Sequence, residues 1–136
     1  MICSRAIPVG EAIAAAARTL VGARFRLHGR ERATGLDCVG VVACACGRPK
    51  AAPSGYALRG GRAEDFAAML GAAGLARVDD AMPGDVALVE AGASQFHLIV
   101  MTHTGFVHAD AALRRVVERP GGVPWPVIGY WRMGEA

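Results

Sequence analysis

The sequence predicts an α+β domain, in which N-terminal helices pack on one face of a C-terminal antiparallel sheet of about five strands. Apolar residues recur at helical spacing in the first half of the chain, whereas the second half consists of short β-branched and aromatic segments between turn residues. The 136 residues are the usual length of one domain, and no repeat or linker divides them. We therefore expect residues 1–136 to form a single domain with one functional site.

The first half predicts three helices. Residues 9–21 and 62–74 each carry an apolar stripe and end at a glycine. The run CVGVVACAC, residues 38–46, is apolar throughout, so its composition alone fits a helix or a buried strand. Asp37 favours the helix, because a carboxylate directly before a helix accepts hydrogen bonds from free N–H groups. The loops between the helices are residues 22–37 and 47–61.

Five strands are predicted after the turn at Pro83 and Gly84. They are DVALVE (85–90), QFHLIVMT (95–102), FVHA (106–109), LRRVVER (113–119) and VIGYWRM (127–133). The turns between the first of these segments are short, so we expect the strands to follow one another as an antiparallel meander.

The composition excludes several classes of protein. Hydrophobic residues make up 53% of the chain and charged residues 20%, which excludes a disordered tail. The net charge of +3, with no aromatic residue except Phe25 among the clustered arginines, gives no indication of nucleic-acid binding. No uncharged apolar run reaches about 18 residues, so we expect no membrane span. Glu11 and Arg18 interrupt the N-terminal alanine run, which predicts no signal peptide and synthesis in the cytoplasm.

The four cysteines, Cys3, Cys38, Cys44 and Cys46, are expected to be reduced, since a chain this apolar does not need disulfides. Cys44 and Cys46 lie too close together for the usual zinc hook, and we interpret both as packing residues. No metal and no cofactor are predicted.

Four arginines lie in the first predicted loop, residues 22–37, which we call the Arg-rich loop: Arg24, Arg26, Arg30 and Arg32. One interpretation is that these arginines are simply solvated on an exposed loop. The other is that they form the rim of a site that attracts carboxylates, because guanidinium groups bind carboxylates in a bidentate manner. The residues alone leave both interpretations open.

Cys38, His97 and His108 are the candidate catalytic residues. Cys38 stands at a predicted helix start, where the helix dipole and a nearby imidazole are expected to lower the pKa of the thiol. His97 and His108 lie on consecutive predicted strands. In this hypothesis His97 takes the thiol proton, and His108 orients the ring of His97. The histidines and cysteine could also bind zinc, although their spacing matches no common zinc pattern.

The register of the two strands decides whether the histidines meet. If the loop between the strands is residues 102–105, Met101 pairs with Phe106 and His108 lies diagonal to His97 on the same face. Two imidazoles can reach each other across that diagonal. A two-residue loop would move His108 one pair further away, so the chemistry favours the longer loop.

Two segments resemble the NlpC superfamily of papain-like cysteine peptidases, which are cell-wall hydrolases. The segment LVGARFRLHGRERATGLDCVGVV resembles the family's lead-in helix, aromatic segment and D-C-[ST]-G motif. The segment PGDVALVEAGASQFHLIVMTHTGFVHA resembles its P-G-D strand, its histidine strand and its closing hydrophobic-H-A strand. The resemblance implies a papain-like α+β fold, in which the cysteine helix packs on the antiparallel sheet.

The resemblance also implies roles. Cys38 would be the nucleophile, His97 the general base and His108 the orienting residue. The implied reaction is hydrolysis of amide bonds in peptidoglycan stem peptides, between D-glutamate and a diamino acid, through a thioester acyl-enzyme. Such peptides carry several carboxylates, so Arg24 and Arg26 become candidate substrate-binding residues.

Phe25 departs from the family pattern. The family usually has a tyrosine there, whose hydroxyl helps to stabilise the oxyanion, whereas Phe25 has no donor. Losing one oxyanion donor costs about 10²–10³ in rate in other enzymes. His28 is a candidate replacement, and Asp37 is a further candidate binding or oxyanion residue.

The short chain resembles family members associated with phage tails. This resemblance predicts phage-tail or phage-derived particle proteins as partners, and action in the periplasm or cell wall. A related thiol acyltransferase or amidase is an alternative. A catalytically weakened peptide-binding or structural module of a phage particle is another.

Overall fold

The computed structural model describes residues 8–48 and 61–134. Helix α1 spans Val9–Thr19, α2 spans Cys38–Ala45 and α3 spans Ala63–Ala72. The apolar run that follows Asp37 is therefore a helix. Cys3 and most of the predicted loop 47–61 lie outside the described residues. Within the two described ranges, no helix is long and apolar enough to cross a lipid bilayer.

Helices α1 and α3 form where the apolar stripes predict them. Helix α1 ends earlier than predicted, because Leu20 already closes the last turn by donating its N–H to the carbonyl of Ala17. Helix α3 buries Phe66 and Leu70 and leaves Met69 half-buried. Both helices thus turn one stripe toward the core.

The described residues contain a small hairpin and one large sheet. The hairpin pairs β1, Arg30–Glu31, with β2, Gly35–Leu36, inside the Arg-rich loop. The large sheet is antiparallel throughout, with the strand order β3-β8-β4-β5-β6-β7. Its strands are Leu75–Val78 (β3), Val86–Gly92 (β4), Gln95–Met101 (β5), Gly105–Asp110 (β6), Arg115–Pro120 (β7) and Val127–Met133 (β8).

The predicted α+β fold, with helices packed on an antiparallel sheet, is confirmed, and the sheet departs from a simple meander of five strands in two respects. Strand β3 is an additional strand. It could not be predicted because its four residues directly follow a helix and show no regular alternation of apolar and polar side chains. Strand β8 does not extend the meander beyond β7 but returns to lie between β3 and β4. Arg132 on β8 stabilises this return, because it donates to both oxygens of buried Asp85 at 2.9 and 2.8 Å.

The large sheet buries side chains on both faces. The face toward the three helices carries Val86, Leu88, Leu98, Val100, Val107 and Ala109. The opposite face carries Ala87, Val89, Ile99 and Phe106, with Trp125 and Tyr130 packed against them. Side chains alternate along each strand, so His97 and His108 fall on this second face, which we call the imidazole side.

Strands β5 and β6 separate soon after they pair. Their ladder consists of Val100 with Val107 and Met101 with Phe106, whereas β6 continues to pair with β7 as far as Asp110. The N terminus of α2 lies against the unpaired part of β5, since the N–H of Leu98 is hydrogen-bonded to the thiol of Cys38. The gap between β5 and β6 therefore lets the start of α2 lie next to the strand that carries His97.

Candidate active site

Asp37 fixes the start of the helix that carries Cys38. Its carboxylate is fully buried (0% exposed), and Oδ1 accepts the N–H of Gly40 at 2.8 Å. Oδ2 accepts the N–H of His28 at 2.7 Å, and Arg30 donates from Nη1 to Oδ1 at 3.1 Å. The predicted capping by Asp37 is confirmed. A role for Asp37 in substrate binding stays a prediction.

The thiol of Cys38 is fully buried, and burial raises its pKa to about 12. The N–H of Leu98 opposes this rise, the charge of Asp37 adds to it, and the N–H groups of Val39 and Cys38 itself oppose it weakly. The expectation of a lowered pKa is therefore wrong, because desolvation outweighs the effect of the helix start. The thiol of Cys38 is therefore neutral at rest.

His97 and His108 meet in the predicted register. Met101 pairs with Phe106, and His97 Nε2 lies 2.9 Å from His108 Nδ1. The two rings pack edge to face, with their centroids 5.1 Å apart. This contact uses Nε2 of His97 and leaves its Nδ1 as the nitrogen that can accept a proton from a nucleophile.

Both imidazoles are neutral at rest. Burial, with His108 adding to it, lowers the pKa of His97 to about 3, against the opposing charge of Asp110. Burial also lowers the pKa of His108, where Asp110 opposes the shift and Arg119 adds to it. A neutral imidazole accepts protons, so a thiol beside it can lose its proton during the attack rather than before it.

The lowered pKa of His97 predicts that acid destabilises the fold. The unfolded chain binds a proton at this ring below about pH 6.5, whereas the folded chain does so only near pH 3. The unfolded state therefore binds more protons between pH 3 and pH 6.5. As the pH is lowered through this window, the free energy of unfolding decreases by up to about 1.4 kcal/mol per pH unit. Urea unfolding between these pH values measures the slope.

His97→Gln should flatten this slope, because glutamine does not titrate. His103→Gln is the matched control, since His103 is exposed and bonded to Glu11 Oε1 at 2.7 Å. The interpretation is contradicted if the wild type and His97→Gln lose stability equally between the two pH values.

Aromatic rings enclose the two histidines on the imidazole side. The ring centroid of Trp125 lies 5.8 Å from that of His97, 5.5 Å from that of His108 and 5.8 Å from that of Phe106. The Arg119 guanidinium lies 5.7 Å from the Trp125 ring centre. Trp125 is not among the site residues that the sequence predicts. Its signal was a proline on either side, which restricts the backbone that presents the ring.

Cys38 belongs to the helix-side core, whereas the two imidazole rings lie on the imidazole side of the sheet. Within the described residues, no hydrogen bond joins Cys38 to either ring, although Leu98, whose N–H meets the thiol, directly follows His97. An apolar cavity of about 520 Å³ lies between α2 and α3, with Val39 and Leu98 in its wall but none of the three candidate catalytic residues. This cavity is therefore not the place where the thiol and the imidazoles face each other.

Two of the four loop arginines are structural. Arg30 forms the ion pair with Asp37, with 17% of its side chain exposed. Arg32 donates from Nε to the carbonyl of Thr19 at 2.9 Å and so ties the loop to the end of α1. The carboxylate-rim interpretation is therefore restricted to the other two arginines.

Arg24 and Arg26 are exposed on either side of half-buried Phe25. Arg24 lies opposite exposed Arg115 in an isolated antiparallel bridge. Arg115 thus adds a third positive charge beside Arg24 and Arg26, which could not be predicted from the sequence. Like charges directly opposite each other are unfavourable unless an anion relieves them. Phe25 supplies no hydroxyl donor. His28 binds Asp37 through its backbone and adopts φ of 61°, and a role for its ring stays a prediction.

The other described cysteines pack away from the histidines. Cys44 and Cys46 are free thiols packed against the helix-side core, and Cys44 Sγ donates to the carbonyl of Arg30 at 3.2 Å. Among residues 8–48 and 61–134, no group of three His, Cys, Asp or Glu side chains could hold a metal ion.

A helix-start cysteine, an antiparallel sheet and a pair of contacting histidines on adjacent strands together make up the arrangement of the papain-like α+β fold. The chain has the fold of NlpC/p60 domains in particular, as the sequence predicts. No protein-family model and no curated protein matches it.

Several solved structures share this fold. NlpC2 from Trichomonas vaginalis superposes with a TM-score of 0.68 at 18% identity, covering 94% of this chain and 49% of that one. NlpC1 from the same organism gives 0.67 at 18% identity, covering 96% and 47%. The NlpC/p60 domain of the peptidoglycan hydrolase SagA gives 0.61 at 20% identity, covering 91% and 98%. The chain thus spans about half the length of the two Trichomonas proteins and nearly all of the SagA domain.

Proposed function

We propose that the protein is a cysteine peptidase that hydrolyses amide bonds in the stem peptides of peptidoglycan. The observation that carries the proposal is the contact of 2.9 Å between His97 and His108, next to the strand residue whose N–H meets the thiol of Cys38. Covalent amide hydrolysis needs a nucleophile, a base and a group that orients the base. The likeness to a domain of the peptidoglycan hydrolase SagA supports this substrate class.

The acylation step moves one proton and exchanges one bond. As the sulfur of Cys38 attacks the carbonyl carbon, His97 Nδ1 takes the thiol proton, and a tetrahedral oxyanion forms. His97 then gives this proton to the amide nitrogen, the C–N bond breaks, and the amine leaves. The acyl group stays on Cys38 as a thioester.

In the second step, water hydrolyses the thioester and His97 again acts first as a base and then as an acid. His97 takes a proton from water, the hydroxide attacks the thioester carbon, and the C–S bond breaks. The peptide leaves with a new carboxyl group, and Cys38 regains its proton. The N–H groups of Cys38 and Val39 at the helix start, together with the N–H of Leu98, already face the sulfur and would stabilise the negative charge that develops there.

The exposed arginines fit the charge of the proposed substrate. Arg24, Arg26 and Arg115 carry their positive charges on the surface, and stem peptides carry several carboxylates that guanidinium groups bind in a bidentate manner. Action on such peptides would take place in the periplasm or cell wall. Phage-particle partners stay a prediction.

A digest of purified muropeptides, separated by liquid chromatography and mass spectrometry, tests the proposal. Fragments that end at D-glutamate and begin at the diamino acid are expected, and heavy-oxygen water should place its oxygen in the new carboxyl group. A rapid acid quench should trap an acyl adduct on the peptide that contains Cys38. The proposal is wrong if muropeptides of all wall types stay intact.

Full burial of the thiol favours a second candidate, a peptide-binding or structural module with an inert cysteine. Cys38 is 0% exposed with a raised pKa, and Phe25 provides no oxyanion donor. Iodoacetamide separates the two functions when the rates are compared with and without muropeptide. In a peptidase the ligand should change the alkylation rate of Cys38 relative to Cys46. An inert Cys38 should alkylate more slowly than Cys46 under both conditions.

A further inference from the structure

Asp110 stands at the end of strand β6 and uses its two carboxylate oxygens differently. Oδ1 accepts the N–H groups of Ala112 and Leu113, each at 2.9 Å, and so holds the turn into β7. Oδ2 lies 3.9 Å from Nε2 of His108. One oxygen therefore stabilises the turn, and the other faces the histidine pair.

His108 has a buried nitrogen that lacks a hydrogen-bond partner in the described part of the chain. The residue is 2% exposed, its Nδ1 contacts His97, and its Nε2 is buried without a hydrogen bond. Phe106 and Trp125 pack against the ring. The carboxylate of Asp110 is thus the acidic group that Nε2 faces.

Two tautomer arrangements fit the contact between the imidazoles, and only one leaves a base. If His108 carries its proton on Nε2, its Nδ1 accepts the Nε2 proton of His97, and Nδ1 of His97 has a lone pair. If His108 carries its proton on Nδ1, it donates to His97, whose own proton then sits on Nδ1. In the second arrangement His97 cannot accept a proton from a thiol.

The charges around His108 decide between these arrangements. The Asp110 carboxylate, 3.9 Å from Nε2 with 22% of its side chain exposed, attracts a proton on that nitrogen. Because the His108 ring itself is buried, water screens this attraction only partly. Arg119, on the neighbouring strand, opposes full protonation of the ring. The two charges together favour a neutral His108 with its proton on Nε2.

We propose that Asp110 is a positioning residue that keeps the proton of His108 on Nε2 and so leaves Nδ1 of His97 free to act as the base. This inference rests on the proposed function of His97. It extends the chain of groups by one member, from thiol to His97 to His108 to Asp110, and Asp110 itself touches no substrate.

Asp110→Asn separates the two tasks of this side chain. The asparagine oxygen can keep accepting from Ala112 and Leu113, so the turn should survive. Its NH₂ group replaces Oδ2 and donates toward Nε2, which favours the arrangement that blocks His97. We expect kcat for muropeptide cleavage to fall about tenfold to a hundredfold, since a wrong tautomer at a directly bonded carboxylate costs about 10⁴ in a serine protease. KM should change little.

Nitrogen NMR of the histidine rings supplies a readout independent of activity. In the wild type the Nε2 of His108 should carry the proton, and in Asp110→Asn the proton should move to Nδ1. Asp79→Asn is the matched control, because Asp79 is exposed and should leave both kcat and tautomers unchanged. Thermal melting checks that the turn is intact.

The outcomes separate the inference from the proposed function. Unchanged tautomers in Asp110→Asn overturn the inference, even if kcat falls, because the residue then acts only on the turn. A tautomer change without loss of kcat overturns it as well. If the wild type cleaves nothing, the proposed function fails, while the tautomers still decide whether Asp110 sets the proton of His108.

Discussion

Replacing Cys38 by alanine is expected to abolish the cleavage of muropeptides and to leave the fold intact. Without the thiol, no thioester can form, and the helix-start N–H groups and His97 cannot supply a nucleophile in its place. In a subtilisin, removal of the nucleophile lowers kcat by about 10⁶. The variant and the wild type should be compared by the rate at which new amines appear.

Cys46→Ala is the matched control for Cys38→Ala. Both thiols belong to the helix α2 region, but Cys46 follows its last turn, on the wall of the apolar cavity and away from the histidines. Cys44 is less suitable, because its thiol donates to Arg30. If Cys38→Ala keeps the wild-type rate while it melts like the wild type, another group is the nucleophile.

The meeting of the histidines could be predicted because it depends on local geometry. The strand period of two places His97 and His108 on one face, and the loop length fixes which residues pair. The observed pairing of Met101 with Phe106 follows from these two rules. The start of α2 was equally predictable, since Asp37 needs only its own helix to act as a cap.

The state of the thiol could not be predicted, because it depends on how distant segments pack. The sequence shows Cys38 at a helix start, which favours a low pKa, but it does not show that the core encloses the sulfur completely. Desolvation then dominates and raises the pKa to about 12. The same limit applies to Trp125, which is brought to the histidines by the return of β8 into the sheet.

The division of the Arg-rich loop shows a similar limit. Spacing treats Arg24, Arg26 and Arg30 alike, yet Arg30 is bound to Asp37 while the other two are exposed. The difference arises because the short hairpin of β1 and β2 folds Arg30 back toward the helix start. The loop is thus partly a clamp on α2, and only part of it can bind substrate.

Asp37→Ala is expected to destabilise the protein more than any exposed substitution. The carboxylate is 0% exposed and accepts from Gly40, His28 and Arg30. Alanine would remove the carboxylate that accepts the N–H groups of Gly40 and His28, and with it the anion beside Arg30. Breaking a buried ion pair from one side costs about 3–5 kcal/mol, which corresponds to a fall of roughly 10–20 °C in Tm for a domain of this size.

Scanning calorimetry of Asp37→Ala, with exposed Asp79→Ala as the control, measures this effect. Asp37→Asn should fall between the wild type and Asp37→Ala, because one amide oxygen can still accept from Gly40 while its NH₂ group opposes the N–H of His28. The clamp also positions Cys38, so kcat should fall with stability in the same order. If Asp37→Ala has the same Tm as the Asp79→Ala control, the start of α2 does not depend on its cap, and the Arg-rich loop does not clamp α2.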